Sequence, residues 1–332
     1  METVTLGRTG LKVGKLSLGG LFVAGFATEL EEARRAVSRA VDLGVNYIDT
    51  APGYHNSEEV LGQCLKGVDK PVILSTKLGG RPKPFDPRNP AQLMESVKES
   101  LRLLGREVID ILMIHEPDRP GQYDWWTDWH ALQGPVLGVL DELKKQGVIR
   151  FTGLGGTTVS ELAFLCRTGK FDVVLTAYNY SLLYRESASE VMPAARSQNM
   201  GVVIGSPLQQ GLFARCFDEA VADPGVYWLS QARRGQLKAL YALSREAGLP
   251  LPEMGLRFIL SQPLADCVLM GARSAREVEQ NVAAVEKGPL PPDVLRALDA
   301  IAALVPSRPF GEPFGIGWFM PNPRGYRGMG VA

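Results

Sequence analysis

Short apolar runs alternate with amphipathic stretches along most of this chain, regularly enough to be read as strand and helix in turn. Strands are predicted at about 16–19, 45–49, 72–76, 109–114, 148–154, 172–177, 201–205 and 266–270. Between them, apolar residues recur at helical spacing over 30–43, 91–104, 137–146 and 187–198. Gly44, Gly147, Gly201 and Gly248 stand where helices should end, because glycine adopts the left-handed conformation that closes a helix at little cost. At the start, 3–6 and 11–14 flank Gly7-Arg8-Thr9-Gly10, the turn chemistry of an N-terminal β-hairpin.

Eight βα units in series, without a break in composition, predict an α/β fold of TIM type: one (β/α)8 barrel domain over residues 1–332. Strand count alone also permits a doubly wound sheet. Three segments interrupt the alternation: 115–133, with Trp125, Trp126 and Trp129; 213–234; and a tail rich in Pro, Gly and aromatics, 306–332. Long loops on the carboxyl face of a barrel build substrate walls. Tryptophans equally cover barrel edges or an oligomer interface, and the tail reads mostly as packing.

Composition narrows the classes. With 45% hydrophobic and 22% charged residues, the chain can bury a sizeable core. Lys plus Arg and Asp plus Glu both number 36, so there is no net field to draw nucleic acid or an anionic membrane, and neither is expected as a partner. The cysteines, Cys64, Cys166, Cys216 and Cys267, are scattered and read as free buried thiols of a reducing compartment, with no metal site expected. The N-terminus lacks the basic start and apolar core of a secretory signal, and no run approaches the ~20 apolar residues of a membrane span, so a cytoplasmic location is expected. Oligomeric state is left open.

Within this frame four polar residues stand out. Asp49 closes Tyr47-Ile48-Asp49, Lys77 closes Val72-Ile73-Leu74-Ser75-Thr76-Lys77, His115 closes Ile109 through Ile114, and Tyr54 follows Asp49 by one short loop. A parallel barrel exposes its chemistry at the carboxyl ends of its strands, so these groups can converge. An ammonium beside a tyrosine favours the ionised phenol, a carboxylate keeps that ammonium charged, and a histidine can orient the reacting oxygen. Such a set moves a proton at a carbonyl or alcohol oxygen and needs an outside hydride carrier, for which nicotinamide is the simplest candidate.

Phosphate-binding signals are uneven. Gly153-Leu154-Gly155-Gly156 follows a strand, but Thr158 stands where a dinucleotide fingerprint needs its third glycine. More specific is the stretch from Val268 to Asn281, a strand ending in Gly271-Ala272-Arg273 and opening a helix, where backbone donors and a guanidinium suit a phosphate. Arg276 in that helix reads as a phosphate ligand or as a solvated helix residue.

Taken together, Asp49-Thr50-Ala51 with Tyr54, Ser75-Thr76-Lys77, Ile114-His115, Ser206-Pro207-Leu208 with Gly211, and Gly271-Ala272-Arg273 with Asn281 resemble, in that order, the motifs of the aldo-keto reductase superfamily over residues 4–286. The resemblance implies a barrel that binds extended NAD(P)H across its carboxyl face without a Rossmann domain. It implies Tyr54 as general acid/base, Lys77 and Asp49 as the pair that tunes it, and His115 as the orienting group, with Asp49 also reaching the cofactor. Asn179, Ser206, Leu208, Gln210 and Gly211 would line the nicotinamide and pyrophosphate region, and Gly271, Arg273, Glu277 and Asn281 the adenosine end. Arg273 looks placed for a 2′-phosphate, which favours NADP(H) over NAD(H).

Several positions depart from the common pattern. Gly155-Gly156 stands where many members carry a Ser-Asn pair for the carboxamide, Leu175 where many carry glutamine, and Gly205 where an aromatic often stacks. Gln280 and Glu277 exchange the frequent amide and acid near the adenine. Residues 171–182 look closest to the branch of L-galactose and D-threo-aldose dehydrogenases. A small carbonyl compound or sugar is therefore the expected substrate, with oxidation of an aldose at its anomeric carbon set beside carbonyl reduction. A redox-sensing nicotinamide-binding subunit with little turnover, and a barrel enzyme of another class, are the remaining readings.

Overall fold

Side chains alternate across each barrel strand, and that alternation sorts an inner face from an outer one. The computed structural model describes residues 1–225 and 229–306. In chain order its elements are β1 (Thr3–Thr5), β2 (Lys12–Gly14), β3 (Leu16–Gly19), α1 (Leu30–Asp42), β4 (Tyr47–Asp49), α2 (Ser57–Leu65), β5 (Ile73–Leu78), α3 (Pro90–Leu104), β6 (Ile109–His115), α4 (Pro135–Lys145), β7 (Ile149–Gly156), α5 (Val159–Arg167), β8 (Val173–Ala177), α6 (Val191–Ser197), β9 (Gly201–Gly205), α7 (Asp218–Ala222), α8 (Gln231–Glu246), α9 (Leu251–Leu260), β10 (Cys267–Gly271), α10 (Ala275–Glu286) and α11 (Pro292–Ala303). Strands β3 to β10 form one closed parallel barrel, with β10 pairing back onto β3, which settles the choice against an open doubly wound sheet.

Tyr47, Ile111, Met113, Val173, Leu175, Val203, Cys267 and Leu269 pack together inside the barrel. Ile48, Leu74, Leu112, Ile114, Val174 and Ile204 pack outward against the helices, as in α1, where Ala33, Ala36, Val37 and Ala40 make the buried stripe. The same count places Asp49, Lys77 and His115 on the inner face at the carboxyl end.

The opposite end is plugged by the antiparallel hairpin β1–β2, whose Leu6, Leu11 and Val13 join the inner cluster. Gly7, at φ +46°, lies so close to the backbone of Gly201 that a Cβ would sit 2.2 Å from its nitrogen. Arg8 fixes the plug through Asp172 (3.0 Å) and the carbonyl of Phe171 (2.6 Å).

Some expectations shift. The helix predicted over 187–198 is a 3-10 turn, Glu186–Ala188, followed by the shorter α6, because Pro193 has no N–H to give and is tolerated only in a helix's first turn. The left-handed residue after α6 is Asn199 (φ +53°), not Gly201, which already starts β9. Cys64, Cys166 and Cys267 are buried thiols, but Cys216 is half-exposed. Of the tail 306–332, all but Pro306 lies outside the described residues. Among the described residues no helix is long and apolar enough to cross a membrane, and no group of three His, Cys, Asp or Glu side chains is placed to hold a metal.

Candidate active site

Asp49 and Lys77 end their inward-facing rows as a buried ion pair, both 1% exposed. Lys77 Nζ donates to Asp49 Oδ2 at 2.7 Å and to the carbonyl of Thr50 at 2.8 Å. The other carboxylate oxygen accepts from the Ser75 hydroxyl at 2.6 Å, and Ser75 in turn meets the Tyr47 hydroxyl at 2.9 Å. Each buried charge is thus paired and hydrogen-bonded, the condition under which a buried ion pair is tolerated.

Tyr54 lies over this pair, with Lys77 Nζ 4.8 Å from its ring centre. The His115 ring stands edge-on to it at 5.8 Å. Burial, then the charges of Lys77 and Arg119, hold the His115 imidazole down to about 3. It is therefore neutral at neutral pH, and its Nδ1 is buried without a hydrogen-bond partner among the described residues.

That depressed value has a sign. Between about pH 6.5 and 3 the unfolded chain takes up a proton that the folded chain excludes, so stability present above 6.5 is lost as pH falls through this window. His115→Asn should flatten the loss. The check is the denaturant midpoint of both proteins at neutral pH and near pH 4.5; parallel declines would show that His115 does not set the slope.

From Tyr54 a cavity of about 620 Å³ runs past Asp49, Ser206, Leu208, Gln210 and Gly211 to Gly271, Arg273, Glu277 and Asn281. Nine of the ten predicted cofactor positions therefore share one wall system with Tyr54. Asn179 does not line it; its Nδ2 donates to the carbonyl of Thr157 at 2.7 Å. Ser206 and Gln210 hold left-handed backbone at φ +51° and +48°, a costly conformation that tends to gather at functional sites. At the far end Ser274 caps α10, its hydroxyl accepting from Glu277 N–H at 3.2 Å. Glu277 reaches back to Arg273, taking its backbone N–H at 2.8 Å and its guanidinium Nη2 at 2.6 Å.

Other walls came from residues that sequence reasoning missed: Leu21 and Phe22 after β3, and Arg215 and Phe217 before α7. The last two fall in the interrupting segment 213–234, which was the available signal. Of the tryptophans of 115–133, Trp125 and Trp126 are buried, donating to the carbonyls of His115 at 2.9 Å and Pro117 at 2.8 Å; Trp129 is half-buried beside a second hollow, and none of the three lines this cavity. Gly153, Gly155 and Gly156 are residues of β7, not a phosphate loop, and Arg276 is an exposed helix residue.

The departures have occupants. A Cβ on Gly205 would come 2.8 Å from Leu175 Cδ2, so the leucine fills the space the glycine leaves. One on Gly155 would meet Lys77 Cε at 3.2 Å, and one on Gly156 would meet the Asp118 carboxylate at 2.6 Å.

A tyrosine and a neutral histidine above a buried Lys–Asp pair, at the carboxyl mouth of a parallel barrel, are equipped to give or take a proton at a carbonyl or alcohol oxygen. The aldo/keto reductase family pattern matches residues 15–303, and the chain belongs to that family of oxidoreductases. It is 30% identical over 298 residues to L-galactose dehydrogenase of Arabidopsis thaliana, covering 86% of this chain and 88% of that one. With the NADH-specific methylglyoxal reductase of Escherichia coli it shares 28% identity over 319 residues, covering 86% and 94%. Among solved structures, the holo form of aldo-keto reductase AKR11C1 from Bacillus halodurans superimposes with a TM-score of 0.71 at 27% identity, over 91% of this chain and 96% of that one.

Proposed function

We propose that this chain is an NAD(P)-dependent oxidoreductase interconverting a carbonyl and an alcohol, with Tyr54 as the group that moves the proton. The observation that carries the reading is the buried Lys77–Asp49 pair beneath Tyr54, at one end of a cavity whose other end holds Arg273, Glu277 and Asn281. Lys77 stabilises the phenolate that Tyr54 becomes on giving up its proton, and Asp49 holds Lys77 in place and charged. His115, being neutral, holds the reacting oxygen by a hydrogen bond without competing as a cationic acid. Leu21, Phe22 and Phe217 give the cavity apolar walls.

The residues fit a dinucleotide. Ser206, Leu208, Gln210 and Gly211 would hold its middle, Gly271, Arg273, Glu277 and Asn281 its adenosine end, and Asp49 the nicotinamide side. When bound, the nicotinamide supplies or accepts the hydride. The similarity to L-galactose dehydrogenase favours a second reading of the same site, oxidation of an aldose at its anomeric carbon. Following the reduced-nicotinamide absorbance with each cofactor, with aldoses in one direction and simple aldehydes in the other, tests both. No absorbance change and no dinucleotide binding would defeat the reading.

Arg273 alone favours NADP(H), but its fork is engaged by Glu277, a carboxylate that suits a ribose hydroxyl and repels a 2′-phosphate. We therefore read NAD(H) as the preferred form. Glu277→Gln frees the guanidinium and should shift the NAD(H) to NADP(H) affinity ratio roughly tenfold towards NADP(H), one charge-assisted contact's worth. Fluorescence titration of both reduced cofactors reads this, and an unchanged ratio would remove Glu277 from the choice.

A further inference from the structure

The apolar wall beside Tyr54, made by Leu175, Ala177, Gly205 and Leu269, offers no side-chain polar group to a bound ring. Polar groups gather instead where the tips of β6, β7 and β8 meet. Strand β7 ends there in Gly155 and Gly156, which bring no side chains of their own. The carboxylate of Asp118 takes that place: its Oδ1, Cγ and Oδ2 lie 2.6, 2.7 and 2.7 Å from where a Cβ on Gly156 would be.

Asp118 is 2% exposed and its two oxygens are treated differently. Oδ2 accepts from the backbone N–H of Thr157 at 2.8 Å and from both the N–H and the hydroxyl of Thr158. Oδ1 is buried with no hydrogen-bond partner. Glu116, 3% exposed and the residue after His115, accepts from the Thr157 hydroxyl at 2.8 Å, while the Thr157 carbonyl accepts from Asn179. One series of hydrogen bonds thus ties three neighbouring strand tips together around an acceptor that no described residue satisfies. A buried polar atom in that state calls for a donor from outside the chain.

We propose that Asp118 Oδ1 accepts the amide N–H of the nicotinamide carboxamide, in place of a side chain on β7, and that Thr157 and Glu116 position it. This rests on the dinucleotide reading above. The carboxamide is the polar substituent of the nicotinamide ring, and with the wall made by Leu175, Ala177, Gly205 and Leu269 apolar, this rim is where a buried acceptor stands ready for its N–H. A carboxylate acceptor makes the contact a charge-assisted one. Burial and the neighbouring Asp118 push the Glu116 carboxyl up to about 7, and burial raises the Asp118 carboxyl as well, so near neutrality the two acids do not both carry full charge. Asp118 stands behind the lining of the dinucleotide cavity and borders a second hollow, with Arg119, Trp129 and Glu161, so a bracing role or solvation from that side is the competing account.

The test compares three ligands by equilibrium binding to the whole protein: NAD⁺, the 3-acetylpyridine analogue of NAD⁺, whose acetyl group has no N–H, and ADP-ribose, which lacks the ring. Asp118→Asn should weaken NAD⁺ roughly ten- to hundredfold. The acetylpyridine analogue should lose far less, and ADP-ribose should bind as to the parent protein. Thr157→Val, which keeps Asp118 and removes only its tie to Glu116, should give a smaller loss with the same order, and serves if Asp118→Asn does not fold. Equal losses for all three ligands would reduce Asp118 to a brace for Thr157 and Thr158, and no loss would remove it altogether; either overturns the proposal. If the parent protein binds neither NAD⁺ nor ADP-ribose, it is the dinucleotide reading itself that has failed.

Discussion

Tyr54→Phe should bind dinucleotide as the parent protein does and turn over about 10² to 10⁴ times more slowly, the usual worth of a positioned proton donor. The substitution removes one hydroxyl and keeps the ring, which is 7% exposed, edge-on to His115 and above Lys77. Packing is therefore preserved while the phenol that lines the cavity beside the Lys77–Asp49 pair is lost. Titration of the reduced cofactor and steady-state rates on the same preparation measure the two halves. Turnover near the parent rate over a broad panel of aldehydes and sugars would show that another group moves the proton.

Lys77→Met should lose both activity and stability, because it leaves the Asp49 carboxylate buried with the Ser75 hydroxyl as its remaining side-chain hydrogen-bond partner among the described residues. Removing one member of a buried pair costs about 3–5 kcal/mol, whereas replacing both by neutral groups of similar volume is close to neutral. Adding Asp49→Asn to Lys77→Met should therefore restore much of the unfolding midpoint without restoring turnover. Urea unfolding and rates measured side by side separate the two. Recovery of turnover in the double variant would mean that the ammonium is dispensable to the chemistry.

Periodicity carried the fold far because a parallel barrel buries its strands on both faces and its helices on one, and both habits leave a trace in hydrophobic spacing. Closure left none, since it depends on β10 meeting β3 across the whole chain. Asp49, Lys77 and His115 were legible for the same reason as the strands: each is the polar residue that breaks an apolar inward row at its carboxyl end. Phe22, Arg215, Phe217 and Asp118 were not, because they arrive on loops whose paths no period encodes. The tryptophans left two readings open, since a large aromatic in a long loop looks the same in sequence whether it faces a ligand or, as Trp125 does, closes over a strand end.

The interlocking of Gly205 with Leu175 bears on descent. With Leu175 Cδ2 occupying the room beside Gly205, a ring can enter position 205 only if position 175 changes as well, and a smaller residue at 175 alone leaves a void. The two sites are exchangeable as a pair and hardly one at a time. A lineage moving between this arrangement and the aromatic–glutamine one must cross an intermediate that is either crowded or hollow. That barrier predicts that positions 175 and 205 change together.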